Sequence, residues 1–145
     1  MRVVVQRVDR ASVRAGGLLV GEIDRGLLVL VGFSADDTDE TLAWMADKLR
    51  GLRIFSDSEG RMNLDLETVG GRLLIVSQFT LYGDVSRGRR PSFAGAASPE
   101  KARSLYERFL ELCATGGAEV SSGEFGSMMD VELVNSGPVT LWIER

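Results

Sequence analysis

Leu27-Leu28-Val29-Leu30-Val31-Gly32-Phe33 is seven residues without one polar side chain. A short apolar run of this kind reads as a central strand buried on both faces. Upstream, residues 2–9 are rich in β-branched side chains and predict a strand that Ala11-Ser12-Val13-Arg14 continues. Gly16-Gly17 suits a tight hairpin, because both residues accept positive φ, and Leu18 to Ile23 returns as the next strand. Asp24-Arg25-Gly26 turns the chain into the apolar run. Downstream, Asp37 with Glu40 has the spacing of a capping box. Leu42, Met45, Ala46, Leu49 and Leu52 then recur at helical spacing. Ile54-Phe55 leaves that helix, Met62 to Leu66 alternates briefly, and Gly70-Gly71 leads into a strand from Arg72 to Phe79. Ser98-Pro99-Glu100 starts a second helix, with serine as N-cap and proline at its first position. Its apolar stripe is Ala102, Leu105, Tyr106, Phe109 and Leu112, and Gly116-Gly117 can end it. Two last strands, Met128–Asn135 and Val139–Glu144, meet around Gly137-Pro138. The pattern predicts one α+β domain over residues 1–145, with a mainly antiparallel, barrel-like sheet and two principal helices packed on it.

Composition narrows the function classes. The chain has 145 residues, enough to bury roughly two thirds of its unfolded surface. Its 44% hydrophobic and 26% charged content is that of a soluble globular protein. Cys113 is the only cysteine, so no intrachain disulfide forms and a reducing, cytoplasmic location fits. Cys113 borders the second helix's apolar stripe and reads as a small core residue. The N-terminal apolar run is cut by Gln6 and Arg7 and is no signal peptide, and no run approaches the roughly 20 residues that span a bilayer. A net charge of −4 argues against nucleic-acid binding driven by total charge. A local patch remains: Arg87-Gly88-Arg89-Arg90 reads either as a solvated loop or as a phosphate contact.

There is no histidine. The usual activator of a serine or cysteine nucleophile is therefore missing. A Ser–Lys pair is conceivable, but Lys48 and Lys101 are the only lysines, and both read as surface helix positions. Without histidine, and with one cysteine, zinc has no ligand set. The acidic run Asp36 to Glu40 lacks the spacing of a calcium loop, and the glycines form no phosphate-binding motif. The expectation is a protein without metal or cofactor. Chemistry must then lean on hydroxyls, backbone groups or the substrate. Ser77-Gln78-Phe79-Thr80 gathers such groups at a strand end, where alternation would put Gln78 and Thr80 on one face. Gly137-Pro138 interrupts a sheet ladder, and the residues alone leave its peptide bond trans or cis.

These segments, in their order, resemble the D-aminoacyl-tRNA deacylases, the D-tyrosyl-tRNA deacylase family. The resemblance spans the chain. It is carried by Gln6-Arg7-Val8 with Ala11-Ser12-Val13, by the run Gly26 to Gly32, and by Leu52-Arg53-Ile54-Phe55 and Met62-Asn63-Leu64. Ser77-Gln78-Phe79-Thr80-Leu81-Tyr82, Arg89-Arg90-Pro91-Ser92-Phe93 and Asn135-Ser136-Gly137-Pro138-Val139-Thr140 complete it. It implies a cytoplasmic homodimer that hydrolyses the ester between a D-amino acid, or glycine, and the tRNA 3′ end. It implies that Gly137-Pro138 is cis and enters the partner subunit's site, where its carbonyls hold the amino group and exclude an L side chain. Ser77, Gln78 and Thr80 would be the catalytic residues, and Phe79, Phe125 and Met129 would line the substrate pocket.

Two views of the chemistry follow from the resemblance. Thr80 is the nucleophile, or the 2′-hydroxyl of the terminal adenosine activates the ester. The missing histidine favours the second, since Thr80 has no evident base. Arg87, Arg89 and Arg90 would contact tRNA phosphates. A noncatalytic module binding tRNA ends or a D-amino acid is the alternative from another class. The chain departs from the family pattern at Gly83, where alanine is usual, and at Ser136, where aspartate is common. Met128-Met129 lacks the acidic residue often found before the methionine.

Overall fold

The computed structural model describes residues 1–145. Strand β1 runs over Arg2–Ala15, turns at Gly16 and Gly17, and returns as β2, Leu18–Ile23. Both glycines have positive φ, 56° and 82°, the backbone that a two-residue hairpin with native twist requires. Gly26–Gly32 forms β3, antiparallel to β1. Helix α1, Asp39–Gly51, crosses over to the small ribbon of β4, Phe55–Ser56, and β5, Met62–Leu64. Strand β6, Arg72–Ser77, lies parallel to β3. Helix α2, Pro99–Ala114, crosses over again to β7, Val120–Ser122, parallel to β6. The chain ends in β8, Met129–Glu144, antiparallel to β1. The sheet order is β2-β1-β3-β6-β7, with β8 on β1. Ser121 Oγ donates to the Glu22 carbonyl at 2.9 Å, which draws β7 toward β2 and nearly closes the barrel.

The α+β class and the two helices agree with the sequence reading. The sheet is mixed, however, and not purely antiparallel: β1 pairs antiparallel with β2, β3 and β8, and the other two pairings are parallel. Its β3–β6 and β6–β7 pairings are parallel because each follows a helical crossover, the connection that parallel neighbours need. Strand β7 has no counterpart in the sequence reading. The two predicted C-terminal strands are one, β8, which remains extended through Gly137-Pro138.

The cap of α1 also differs. Thr38, not Asp37, is the N-cap, its Oγ1 accepting from Thr41 N–H. Asp37 accepts instead from Ser34 N–H at 2.9 Å and from the Met1 ammonium, a buried ion pair at 2.5 Å. Ser98 caps α2 as expected. Two apolar layers hold the molecule together. One face of the sheet, with Val3, Val5, Val29 and Ile75, packs on Leu42, Leu49, Phe109 and Cys113 of the helices. Val8, Val13, Leu28, Leu74 and Val76 fill the barrel side. Cys113 is fully buried, and burial pushes its thiol up to about 12, so it is an inert core residue. No helix is long and apolar enough to cross a membrane.

Candidate active site

Strand β6 stops at Ser77, the last residue paired with β3. Gln78 N–H still donates to the Val31 carbonyl at 2.7 Å, and the chain then curls into a single 3-10 turn, Phe79–Tyr82. Alternation therefore does not extend past Ser77, and Gln78 and Thr80 are not neighbours on a strand face. The turn brings them together by another route: the Gln78 side-chain amide donates to Thr80 Oγ1. Gly32 lies beneath the turn. A Cβ there would stand 2.9 Å from the Gln78 carbonyl oxygen and 3.3 Å from Leu81 and the Tyr82 ring. From the other side, Arg2 Nη1 donates to the Leu81 carbonyl at 3.2 Å, with its guanidinium 4.4 Å from the Tyr82 ring centre.

The opposite wall follows β7. Gly123 N–H donates to the Ile75 carbonyl at 3.0 Å. The buried Tyr106 hydroxyl donates to the same carbonyl at 2.7 Å, with the Gly123 carbonyl 3.4 Å away. Burial pushes Tyr106 up to about 12, so this hydroxyl keeps its proton. Phe125 rests on the Tyr106 ring, and Gly126, at φ 85°, turns the chain toward Met128 and Met129.

Between the walls lies a cleft of about 830 Å³. Ser77, Gln78, Phe79 and Thr80 line one side and Phe125 and Met129 the other, with Phe93, Pro99 and Ala102 at its margin. Of the sequence-predicted residues, these six meet at one site. Not one ionisable side chain lines it. Thr80 has an amide as its polar neighbour, and an amide cannot take its proton. Gly83 lets the lining come close, since a Cβ there would stand 3.0 Å from the Thr80 carbonyl oxygen and 3.1 Å from the Phe93 ring. A smaller groove of about 260 Å³, between Arg10, Glu22 and Arg72, holds none of these residues.

Gly137 and Pro138 do not line this cleft. Their peptide bond is cis, and both residues are exposed. Between the pairs Gln6–Thr140 and Val8–Asn135, one residue of β1, Arg7, faces four of β8, Ser136 to Val139. Arg7 fills the gap. Its guanidinium donates to the carbonyls of Ser136 at 3.1 Å, Gly137 at 3.0 Å and Ile54. The Asn135 amide donates to the carbonyls of Arg7 and Val139, both at 3.0 Å. Asn135 and Arg7 thus support the turn without help from the side chain at Ser136. The sequence reading gives Arg7 no role at the site. The signal was available: with period two, Arg7 shares the inward face of Val3 and Val5, and it is only 9% exposed.

Arg87, Arg89 and Arg90 are exposed in a loop closed by paired backbone bonds between Asp84 and Ser92. Phe93 follows directly and packs edge-on against Phe79 at 5.1 Å, so the basic loop is anchored at the cleft's margin.

The sequence profile of the family described as D-Tyr-tRNA(Tyr) deacylase matches residues 4–144. The D-aminoacyl-tRNA deacylases of Desulfatibacillum aliphaticivorans and Exiguobacterium sibiricum are each 56% identical to this chain, over 99% and 100% of both lengths. A solved structure titled "c-Myc DNA Unwinding Element Binding Protein" superposes with a TM-score of 0.94 at 39% identity, covering 100% of this chain and 99% of that one. A second, described as a probable eukaryotic D-amino acid tRNA deacylase, shares the fold at a TM-score of 0.83 and 24% identity. A match this long, at this identity, is membership: the chain belongs to the D-Tyr-tRNA(Tyr) deacylase family.

Proposed function

We propose that this chain hydrolyses the ester linking a D-amino acid to the tRNA 3′ end, and that the substrate supplies the activating hydroxyl. One observation carries the reading: the cleft that gathers Ser77, Gln78 and Thr80 is lined by no ionisable side chain. A hydrolase without a general base must take its proton acceptor from elsewhere. The 2′-hydroxyl beside the ester is already in place, so no second group need be brought in. Water adds to the ester carbonyl and passes its proton by way of the 2′-hydroxyl to the departing 3′-oxygen. The carbonyl–oxygen bond breaks, leaving free amino acid and a tRNA with both hydroxyls intact. Ser77, Gln78 and Thr80 position the ester. The N–H groups of Phe79 and Thr80, at the start of a turn where such donors have no intrahelical partner, face the charge that develops on the carbonyl oxygen.

Chirality is read across two subunits. Gly137 and Pro138 of one chain enter the cleft of its partner, hold the substrate amino group by their carbonyls and leave no room for an L side chain. Exclusion of this kind discriminates more sharply than a lost contact. Glycine has no side chain to exclude and is accepted too. Exposed apolar groups on this chain support a homodimer: Phe79 at 57% and Met128 at 92% on the cleft's rim, and Trp142 at 50% on β8. Phe125 and Met129 bound the aminoacyl pocket, Arg87, Arg89 and Arg90 take tRNA phosphates, and the cytoplasm is where such a substrate is met.

The test is a D-aminoacyl-tRNA ending in 2′-deoxyadenosine. It should be nearly inert, while Thr80→Ala keeps a reduced, measurable rate on the ordinary substrate. Full turnover of the deoxy substrate, together with a dead Thr80→Ala enzyme, would make threonine the nucleophile.

A further inference from the structure

Arg103 is exposed on α2, one residue beyond Ala102 of the cleft lining, and it forms no ion pair. The other arginine farther along the same helix behaves differently, Arg108 being bound to Asp39 and Glu111, each at 3.0 Å. The Arg103 guanidinium lies over the Phe125 ring, 4.9 Å from its centre, and donates one hydrogen bond, at 3.4 Å, to the Phe125 carbonyl. These two contacts hold the group beside the ring and leave most of its five donors free. A planar guanidinium with free donors matches the oxygens of a phosphodiester, which it can bind in bidentate fashion. The position fits as well. Phe125, Gly126 and Ala102 form the rim on this side, and Phe93, below the Arg87–Arg90 loop, lines the other. A polynucleotide with its last residue in the cleft must bring its backbone out past one rim or the other.

We propose that Arg103 is a phosphate-binding residue at the cleft's mouth, gripping the backbone just before the terminal nucleotide. This rests on the functional reading above, in which the cleft takes the end of a tRNA. The phosphate is held by an arginine that rests over the Phe125 ring, at the rim opposite the Arg87–Arg90 loop. Glu100 and Glu107, a turn away on α2, and Glu124, beside Phe125, do not pair with it, so its charge is available to an anion.

Two substrates separate a phosphate contact from mere support of Phe125. One is a D-aminoacyl-tRNA; the other is the 3′-D-aminoacyl ester of adenosine, which has the same reacting group and no phosphate. Arg103→Ala should raise KM for the tRNA about ten-fold and leave hydrolysis of the adenosine ester within about two-fold. The slope of log KM against log salt should fall by about 0.7 to 0.9, the loss of one phosphate contact. Arg103→Lys should keep that slope while recovering only part of the KM. Arg108→Ala, an equal loss of charge on the same helix, should change neither. Equal losses on both substrates would make Arg103 a prop for Phe125 and overturn the proposal, as would an unchanged salt slope. Binding of uncharged tRNA, followed by anisotropy, judges the contact without catalysis. There Arg103→Ala should weaken the wild-type affinity about ten-fold, and native affinity refutes it. A wild type that binds tRNA but cleaves neither ester would refute the functional reading alone.

Discussion

Arg7 is a buried cation whose hydrogen bonds all go to carbonyls, those of Ile54, Ser136 and Gly137. Hydrogen bonds from a charged donor are worth roughly 1.5–3 kcal/mol each, and removing the donor leaves the acceptors unpaired. The exchange is worthwhile because the chain needs a bulge there: four neighbouring residues, Ser136 to Val139, have no register partners on β1, and one planar fork answers two of their carbonyls together. Arg7→Ala should therefore lower unfolding free energy by about 3 kcal/mol and abolish deacylation by misplacing Ser136 to Pro138. Arg7→Lys, with a point charge instead of a fork, should restore part of the stability and little of the activity. Denaturant titration beside a deacylation assay measures both. An Arg7→Ala protein with native rate would mean that the guanidinium does not hold the Gly-Pro turn in its working shape.

At the scale of elements, the site depends on how closely β3 passes beneath the 3-10 turn. Gly32 makes that approach possible, because a Cβ would press on the Gln78 carbonyl, Leu81 and Tyr82 at once. Gly32→Ala should lift the turn and cut the rate more than ten-fold on tRNA and adenosine esters alike, while costing about 1–3 kcal/mol as overpacking. Gly51→Ala is the contrast. It meets nothing within 4 Å at the end of α1 and should gain about 0.5–1 kcal/mol without touching the rate. Equal behaviour of the two variants would show that the turn does not rest on β3. The elements themselves were legible where local chemistry decides them. Gly16-Gly17 required the hairpin, Ser98-Pro99 the start of α2, and the apolar run 27–33 a strand buried on both faces. What escaped notice was decided at a distance. Asp37 left the cap of α1 because a chain terminus arrives beside it, and Gln78 left the strand because β3 ends there. Strand β7 is three residues long, too short to announce itself against its Gly-rich surroundings. The motif residues of the cleft were all readable, and the period of β1 marked Arg7 as inward-facing, but what Arg7 and Arg103 bind was not, since each acquires its meaning from carbonyls or a ring that the fold supplies.

At the scale of the whole molecule, the cleft and the Gly137-Pro138 turn lie apart on one chain, and the proposed function requires them together. Gly137 has open space around it: a Cβ there would meet nothing within 4 Å in its own chain, and the residue is exposed, so a larger side chain can extend into solvent. Gly137→Leu should therefore fold with native stability. If the turn enters a partner's cleft, the same variant should be inactive, because the leucine then meets the partner's Thr80 turn or the substrate. Light scattering should give about twice 15.8 kDa for both proteins. Mixing decides the geometry. Gly32→Ala has a damaged cleft and an intact turn, and Gly137→Leu has the reverse. When equal amounts are unfolded and refolded together, about half of the dimers are mixed. Each mixed dimer unites the intact cleft of one chain with the intact turn of the other, and its second site carries both defects. The mixture should regain about a quarter of wild-type activity, well above what either variant shows alone. A site contained within one chain gives no such recovery, because every chain then carries one of the two defects. Failure to recover activity, with mixed dimers demonstrated by mass spectrometry, would remove the cross-subunit clamp and require chirality to be read within the cleft itself.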